Sequence, residues 1–338
     1  MPVIETKIVP ISPTEPDVES IRQAAEVLRR GGLVAFPTET VYGLGADALN
    51  LDAVKKVFAA KGRPGDNPLI VHIASSKQLD DIVDEMPEKG KRLAEAFWPG
   101  PLTLVVKRTI LISDLVTANL DTVAVRMPNH PVPLAMIQAL GEGIVGPSAN
   151  LSGRPSPTTA QHVYDDLRGS VDLILDAGPA AIGLESTVVD VTVEPPAILR
   201  LGGLTRERLE ELIGSVEVNV GLDRAKRSPG TRHRHYAPRA RVLLVKSGDV
   251  ESFAALLQEQ RQLGKNVGCV VNSPLLARVE SGKYFRVLPT SLDILARYLF
   301  RTLRELDALG LDVIIVEEVP EEGLGATIMD RLRRASET

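Results

Sequence analysis

Two cations set two positions apart, Lys61 and Arg63, stand at the end of a helical pattern and lead into the turn-rich run Pro64-Gly-Asp-Asn-Pro68. Ahead of that helix lies Pro37-Thr-Glu-Thr-Val-Tyr-Gly-Leu-Gly45, polar and glycine-punctuated where a packed core would want neither. Thr38 and Thr40 offer short hydroxyls, and Gly43 and Gly45 let backbone approach a ligand closely. Anion binding is the chemistry such a set can do. Cations at a helix C-terminus also complement its dipole, so surface capping fits the same residues.

The elements that must position these groups are legible around them. Leu33-Val-Ala-Phe36 reads as a buried strand, so the polar stretch is a loop leaving a strand end, the usual place for a site in an open α/β sheet. Asn50 is suited to cap a helix that carries Val54, Val57 and Phe58 on one face. Residues 14–30 read as a helix with Thr14 and Asp17 as a capping pair, and 77–96 as a helix broken at Pro87. Leu69-Ile-Val-His-Ile73 is a strand with His72 at its middle, where a satisfied core partner and a ligand contact both fit. Val123-Ala-Val-Arg-Met127 is a further strand in which Arg126 alternates with valines. A guanidinium half-inside a sheet needs an anion, and a structural carboxylate and a bound one serve equally. Pro147-Ser-Ala-Asn-Leu-Ser-Gly-Arg-Pro-Ser156 is a second strand-end loop, crowded with groups that could face phosphate oxygens or simply make a turn. Arg200 is another cation where strand gives way to loop.

The chain has 338 residues, long enough for two domains, with 44% hydrophobic and 25% charged residues. A formal net charge of -5 argues against a protein that holds nucleic acid by bulk electrostatics. Its one cysteine, Cys269, cannot staple the fold and reads as core filler. No signal-peptide layout or membrane-length apolar run is visible, which sets the expectation of a cytoplasmic protein with no membrane association. The pattern implies a twisted, mixed α/β sheet over 14–214. A basic linker over 215–239 follows, with no acidic residue from Arg224 to Arg241. Strands alternating with helices over 240–338 imply a smaller parallel-sheet domain, to which no cofactor is assigned for want of a dinucleotide fingerprint. The linker is either a solvated spacer or a lid over an anionic ligand, with Arg232, His235 and Tyr236 pointing inward. His233 and His235 lack further ligands nearby for a metal.

Several motifs occur together and in order. They are Phe36-Pro-Thr-Glu-Thr-Val-Tyr-Gly-Leu-Gly45, Lys61-Gly-Arg63 with Asn67-Pro68, Trp98-Pro-Gly-Pro-Leu-Thr103, Val123-Ala-Val-Arg-Met-Pro128, Pro147-Ser-Ala-Asn150, Glu185-Ser-Thr187 and Leu199-Arg-Leu-Gly-Gly203. This set closely resembles the threonylcarbamoyl-AMP synthases in their two-domain form, and the likeness runs through Ser228–Pro238 to the tail Gly323–Leu332. The resemblance implies a YrdC-like catalytic domain followed by a smaller Rossmann-like domain. The implied reaction takes L-threonine, bicarbonate and ATP to threonylcarbamoyl-AMP and pyrophosphate, for threonylcarbamoyladenosine modification of tRNA beside the anticodon. Transfer to tRNA would belong to separate partner proteins, so this step does not require tRNA binding. By resemblance, Thr40, His72, Arg126 and Ser186 would hold threonine. Lys61, Arg63, Asn67, Thr122, Ser148, Asn150, Ser156 and Arg200 would hold the nucleotide, joined by Arg232, His235 and Tyr236, with Lys61 and Arg63 as the catalytic cations. Mg²⁺ is expected with ATP, held by phosphate oxygens and water and by no protein side chain in particular. The rival expectation from another class is an RNA-binding module without catalysis.

Overall fold

Local chemistry starts and stops the helices that matter for the site. The computed structural model describes residues 4–218, 228 and 235–337. Helix α1 is Val18–Arg29, capped by Asp17, whose carboxylate accepts the Ser20 N–H at 2.8 Å. The helix therefore begins later than residue 14, because that cap fixes Asp17 in extended geometry. Helix α2 is Leu51–Lys61, with Asn50 accepting the Ala53 N–H at 3.1 Å and Gly62 ending it in the left-handed region at φ 58°. Its buried Val54, Val57 and Phe58 share one stripe, and Lys61 comes out on the last turn.

Two compact units emerge, one of Met1–Ser152, Ser156–Ala181 and Glu185–Arg232, the other of Gly153–Pro155, Ile182–Leu184 and His233–Thr338. The first holds β1 (Lys7–Pro10), β2 (Val34–Phe36), β3 (Gly43–Asp47), β4 (Ile70–His72), β5 (Val83–Glu85), β6 (Leu102–Arg108), β7 (Thr122–Arg126), β8 (Ile144–Val145), β9 (Leu173–Asp176), β10 (Thr187–Asp190) and β11 (Ala197–Arg200). They form one mixed sheet in the order β1-β9-β2-β3-β8-β4-β7-β6-β10-β11, with β5 added along β6. The mixed sheet read from the sequence is what forms. It starts ahead of residue 14, because β1 pairs in parallel with β9. The expected helix over 77–96 is also replaced. A short helix Leu79–Ile82, the edge strand β5 and the helix Glu88–Phe97 stand there, since Val83–Glu85 pairs with β6 before Pro87 restarts the chain.

The largest correction concerns the opening loop. It spans only 37–42, since Gly43–Asp47 is β3, antiparallel to β2 with Phe36 opposite Gly43. A Cβ at Gly43 would lie 2.6 Å from Phe36 Cζ, and one at Gly45 would lie 3.0 Å from the Val34 carbonyl. These glycines leave room for a neighbouring ring and strand rather than for a ligand. Gly146 does the same for His72, whose Nδ1 would stand 2.5 Å from an added Cβ. Phe36 and His72 then meet edge to face with centroids 5.7 Å apart.

The second unit is a parallel four-stranded sheet, in the order β12 (Arg241–Val245), β15 (Val313–Glu317), β13 (Val267–Val271), β14 (Phe285–Val287). At the strand C-terminal ends, Glu317 accepts the N–H groups of Asn272 at 2.7 Å and of Ser273 and Gly248 at 2.9 Å. Burial pushes its carboxyl up, but those donors outweigh burial and hold it below the usual range. Cys269 is buried in β13, and burial pushes its thiol up to about 12, consistent with core filling. Among the described residues no helix is long and apolar enough to cross a membrane.

Gly43→Ala is expected to destabilise the first unit by about 1–3 kcal/mol, because the Phe36 ring cannot give way within a packed sheet face. Urea unfolding followed by circular dichroism measures it. A loss below about 0.3 kcal/mol would contradict the packing account.

Candidate active site

The two faces of the sheet carry different residues. Val71, Val123, Val125, Leu104 and Val106 point into the main core. The alternation along a strand sends Thr122, Ala124 and Arg126 to the other face. There Ile70, Val105, Ala124, Val188, Ala197 and Leu199 form a small separate apolar cluster. Ile70 pairs with Ala124, and Ala124 with Val105, so this floor crosses three strands at mid-height. Polar residues collect at both ends of it.

One end is built on Arg126, the last residue of β7, with His72 beside it in register on parallel β4. Arg126 donates from Nη1 to Thr40 Oγ1 at 2.9 Å and from Nε to the Gly100 carbonyl at 3.2 Å. Its Nη2 lies 2.7 Å from Glu39 Oε1, and the two side chains are 4% and 10% exposed. That contact is a charge pairing by distance alone. Among the described residues neither Glu39 oxygen nor Nη2 completes a directed hydrogen bond. Thr40 is set by Thr38, whose hydroxyl meets Thr40 Oγ1 at 2.8 Å and bonds the Val41 carbonyl at 2.6 Å, closing a hydroxyl turn. Across β6, Thr103 Oγ1 meets Ser186 Oγ at 2.7 Å. Arg200 reaches the Ser186 carbonyl at 2.9 Å and its hydroxyl at 3.2 Å. Ser156 donates to Glu185, the residue before Ser186. A Cβ on Gly202 would meet backbone of Ser186 and Thr187 at 2.2 Å, so only glycine lets this turn close.

The other end lies at the start of β7 and β4, four residues or ~13 Å along the strand from Arg126. Thr122 sits there opposite Lys107, buried, its Oγ1 without a hydrogen-bond partner among the described residues. Arg63 donates to the Asn67 carbonyl at 3.1 Å and the Pro68 carbonyl at 2.7 Å, which shapes the turn entering β4. Asn67 is buried in that turn. Lys61, also buried, donates to the carbonyls of Ser148 and Asn150 and so ties α2 to the second loop. Ser148 Oγ bonds Asn150 Oδ1 at 2.6 Å. The 37–42 loop spans both ends, since Thr40 touches Arg126 while Tyr42 exchanges backbone bonds with Pro157 and Ala149 at 2.9 Å.

Thr40, His72, Arg126, Ser186, Ser156 and Arg200 thus gather at one end of the face and Thr122 stands at its other end, while Lys61, Ser148 and Asn150 form a bonded group of their own and Arg63 and Asn67 share the turn into β4. Arg232 lies outside the described residues, as does most of the basic stretch 224–234. Tyr236 is a core residue of the second unit, 4% exposed, stacked on Phe300 at 5.4 Å with the Arg331 guanidinium 4.9 Å from its ring. Those contacts give it a packing role there, and the adjacent His235 tilts against it at 5.7 Å.

Two family models cover this chain. The one described as "Telomere recombination" (Sua5_yciO_yrdC) matches residues 26–202, and the one described as "Threonylcarbamoyl-AMP synthase, C-terminal domain" matches 204–337. A threonylcarbamoyl-AMP synthase of Pyrococcus abyssi is 46% identical over 327 residues, covering 94% of each chain. One of Bacillus subtilis is 48% identical, over 94% of this chain and 92% of that protein. The crystal structure of P. abyssi Sua5 complexed with L-threonine matches with a TM-score of 0.91 at 45% identity, covering 98% of this chain and 97% of that one. The chain belongs to the threonylcarbamoyl-AMP synthase family.

Within that family frame, sequence reasoning left Glu39, Thr103 and Glu185 without roles, although all three lie inside quoted motifs. The local signal is a carboxylate between two hydroxyls at 38–40, and the fold sets Arg126 beside it.

His72 is 2% exposed, and burial, with the Arg126 charge second, pushes its imidazole down to about 3. It is therefore neutral throughout physiological pH. The unfolded chain takes up a proton near 6.5 while the folded one does not until about 3, so stability falls as pH drops through that window. One such proton is worth up to ~1.4 kcal/mol per pH unit. His72→Asn is expected to flatten the pH dependence of unfolding between pH 7 and 5 by about that amount, read from urea titrations. An unchanged slope would show that His72 titrates normally.

Proposed function

We propose that this chain joins L-threonine, bicarbonate and ATP into threonylcarbamoyl-AMP and pyrophosphate. The observation that carries the reading is the buried Arg126, with Thr40, His72 and Ser186 about it at one end of a small apolar floor and Thr122 at the other end, ~13 Å along the strand. That separation suits a small amino acid at one end and phosphates at the other. Arg126 offers the planar fork that a carboxylate can grip in two-point fashion, which lysine cannot imitate. Thr40, Ser186 and His72 supply neutral hydroxyl and imidazole groups beside it. Lys61, Arg63, Asn67, Thr122, Ser148 and Asn150 would receive the nucleotide, with Arg200 and Ser156 toward the amino-acid end.

The chemistry needs no protein nucleophile. Threonine's ammonium and bicarbonate give the carbamate, water and one released proton. A carbamate oxygen then attacks the α-phosphorus, and the bond to the bridging oxygen breaks as pyrophosphate leaves. Such a step is governed by positioning and by charge stabilisation along the phosphates. Lys61 and Arg63 would leave the loop carbonyls they hold and neutralise charge on the leaving group. Mg²⁺ fits as a companion of the triphosphate: the neutral oxygens of Thr122, Ser148 and Asn150 are hard donors that suit its water shell. When bound, it would draw electron density from the phosphate oxygens. The mixed anhydride would pass to the proteins that place the group on tRNA, in the cytoplasm where ATP and amino acid are at hand.

Pyrophosphate release that depends on both threonine and bicarbonate is the direct measurement; a protein that only binds RNA would release none. Arg126→Ala is expected to weaken threonine binding by about 2 kcal/mol, roughly 30-fold in Kd, by calorimetry. Unchanged affinity, with binding of an ATP analogue intact, would remove Arg126 from the amino-acid seat.

A further inference from the structure

We infer that Glu39 is part of the amino-acid seat. It is the protein's own carboxylate beside Arg126, and it takes the substrate's α-ammonium once the substrate's carboxylate displaces it. This rests on the reading that Arg126 receives threonine's carboxylate.

The donors of Arg126 are unequally engaged. Nε and Nη1 are engaged in directed bonds to Gly100 and Thr40, which fix the plane of the fork. Nη1 keeps a second N–H, and Nη2 has Glu39 at 2.7 Å without hydrogen-bond alignment. A ligand carboxylate that takes this guanidinium in two-point fashion therefore meets Nη1 and Nη2, and Glu39 must yield. A pair built for stability would look different. Buried Arg–carboxylate pairs repay desolvation through two parallel hydrogen bonds and further donors to the remaining lone pairs. Here both oxygens of a carboxylate that is 90% buried lack a directed hydrogen-bond donor among the described residues. The pair is balanced in charge and unsatisfied in geometry, and what it lacks is donors.

A zwitterionic α-amino acid supplies them. Its carboxylate and ammonium are one carbon apart, with opposite charges side by side, as Arg126 and Glu39 are. Insertion replaces one poorly aligned contact by two charge-assisted ones, Arg126 to carboxylate and ammonium to Glu39, with no net charge added to the buried site. His130 also lies within electrostatic reach of Glu39; its Nδ1 accepts the Val132 N–H at 3.2 Å as a helix cap, and no hydrogen bond joins it to Glu39 among the described residues. A consequence follows for the reaction. Carboxylation turns the nitrogen end from cation to anion, so the glutamate that holds the amino acid repels the carbamate, favouring its movement toward the nucleotide.

The test is calorimetry with L-threonine and with 2,3-dihydroxybutanoate of matching configuration, which keeps the carboxylate and replaces the ammonium by a hydroxyl. The native protein is expected to prefer threonine by about tenfold or more, and Glu39→Gln to bring the two ligands within about threefold of each other. Binding of a non-hydrolysable ATP analogue checks that the variant is folded. If Glu39→Gln fails that check, Glu39→Asp takes its place, and its shorter reach is expected to cut the preference by about threefold or more. A variant that weakens both ligands equally, or leaves the preference intact, overturns the proposal. Arg126→Ala separates the two readings. Loss of both ligands there with the preference intact in Glu39→Gln sinks only the role of Glu39. Retention of both ligands in Arg126→Ala sinks the carboxylate seat itself, and this proposal with it.

Discussion

A charged guanidinium inside a sheet is the constraint around which the catalytic unit is arranged. A guanidinium at 4% exposure needs partners, and Arg126 draws them from two separate stretches: Thr40 and Glu39 from the first loop, and Gly100 from the turn before β6. Each partner is thereby fixed relative to β7. The same Gly100–Pro101 turn accepts the Thr187 N–H at 2.9 Å, which brings Ser186 and, through it, Arg200 to the same end. One buried cation thus sets the positions of loops that are distant in sequence.

A second buried cation ties helix α2 to the loop 147–156 by a similar logic. Lys61 ends α2 because Gly62 turns the helix off, and its ammonium is satisfied by loop carbonyls of Ser148 and Asn150. Both buried cations are thus held by loop groups of the protein itself. Catalysis by preorganised charge needs its charges fixed in this way before the reaction begins.

In the second unit the corresponding anion seat is closed from within. Open parallel sheets bind ligands at the C-terminal ends of their strands, and here Glu317 already takes the free N–H groups of the loops after β12 and β13. Tyr236, held between Phe300 and Arg331, anchors the start of that unit in the same internal manner.

Residue order alone determined the mixed α/β class, the cap and stop of α2, the strands bearing His72 and Arg126, and the loops that carry the polar groups. Those are local properties, written in capping residues, glycine punctuation and period-two alternation, and a set of motifs in order was enough to name a family. Tertiary structure decided what local pattern could not. Gly43 and Gly45 read as room for a ligand, yet they make room for the Phe36 ring, because only strand pairing sets that ring against them. Arg126 left open whether its anion was internal or bound, and the fold set Glu39 there from a loop remote in the chain. A contact between residues remote in sequence leaves no periodic trace, so its geometry exists only once the sheet has closed.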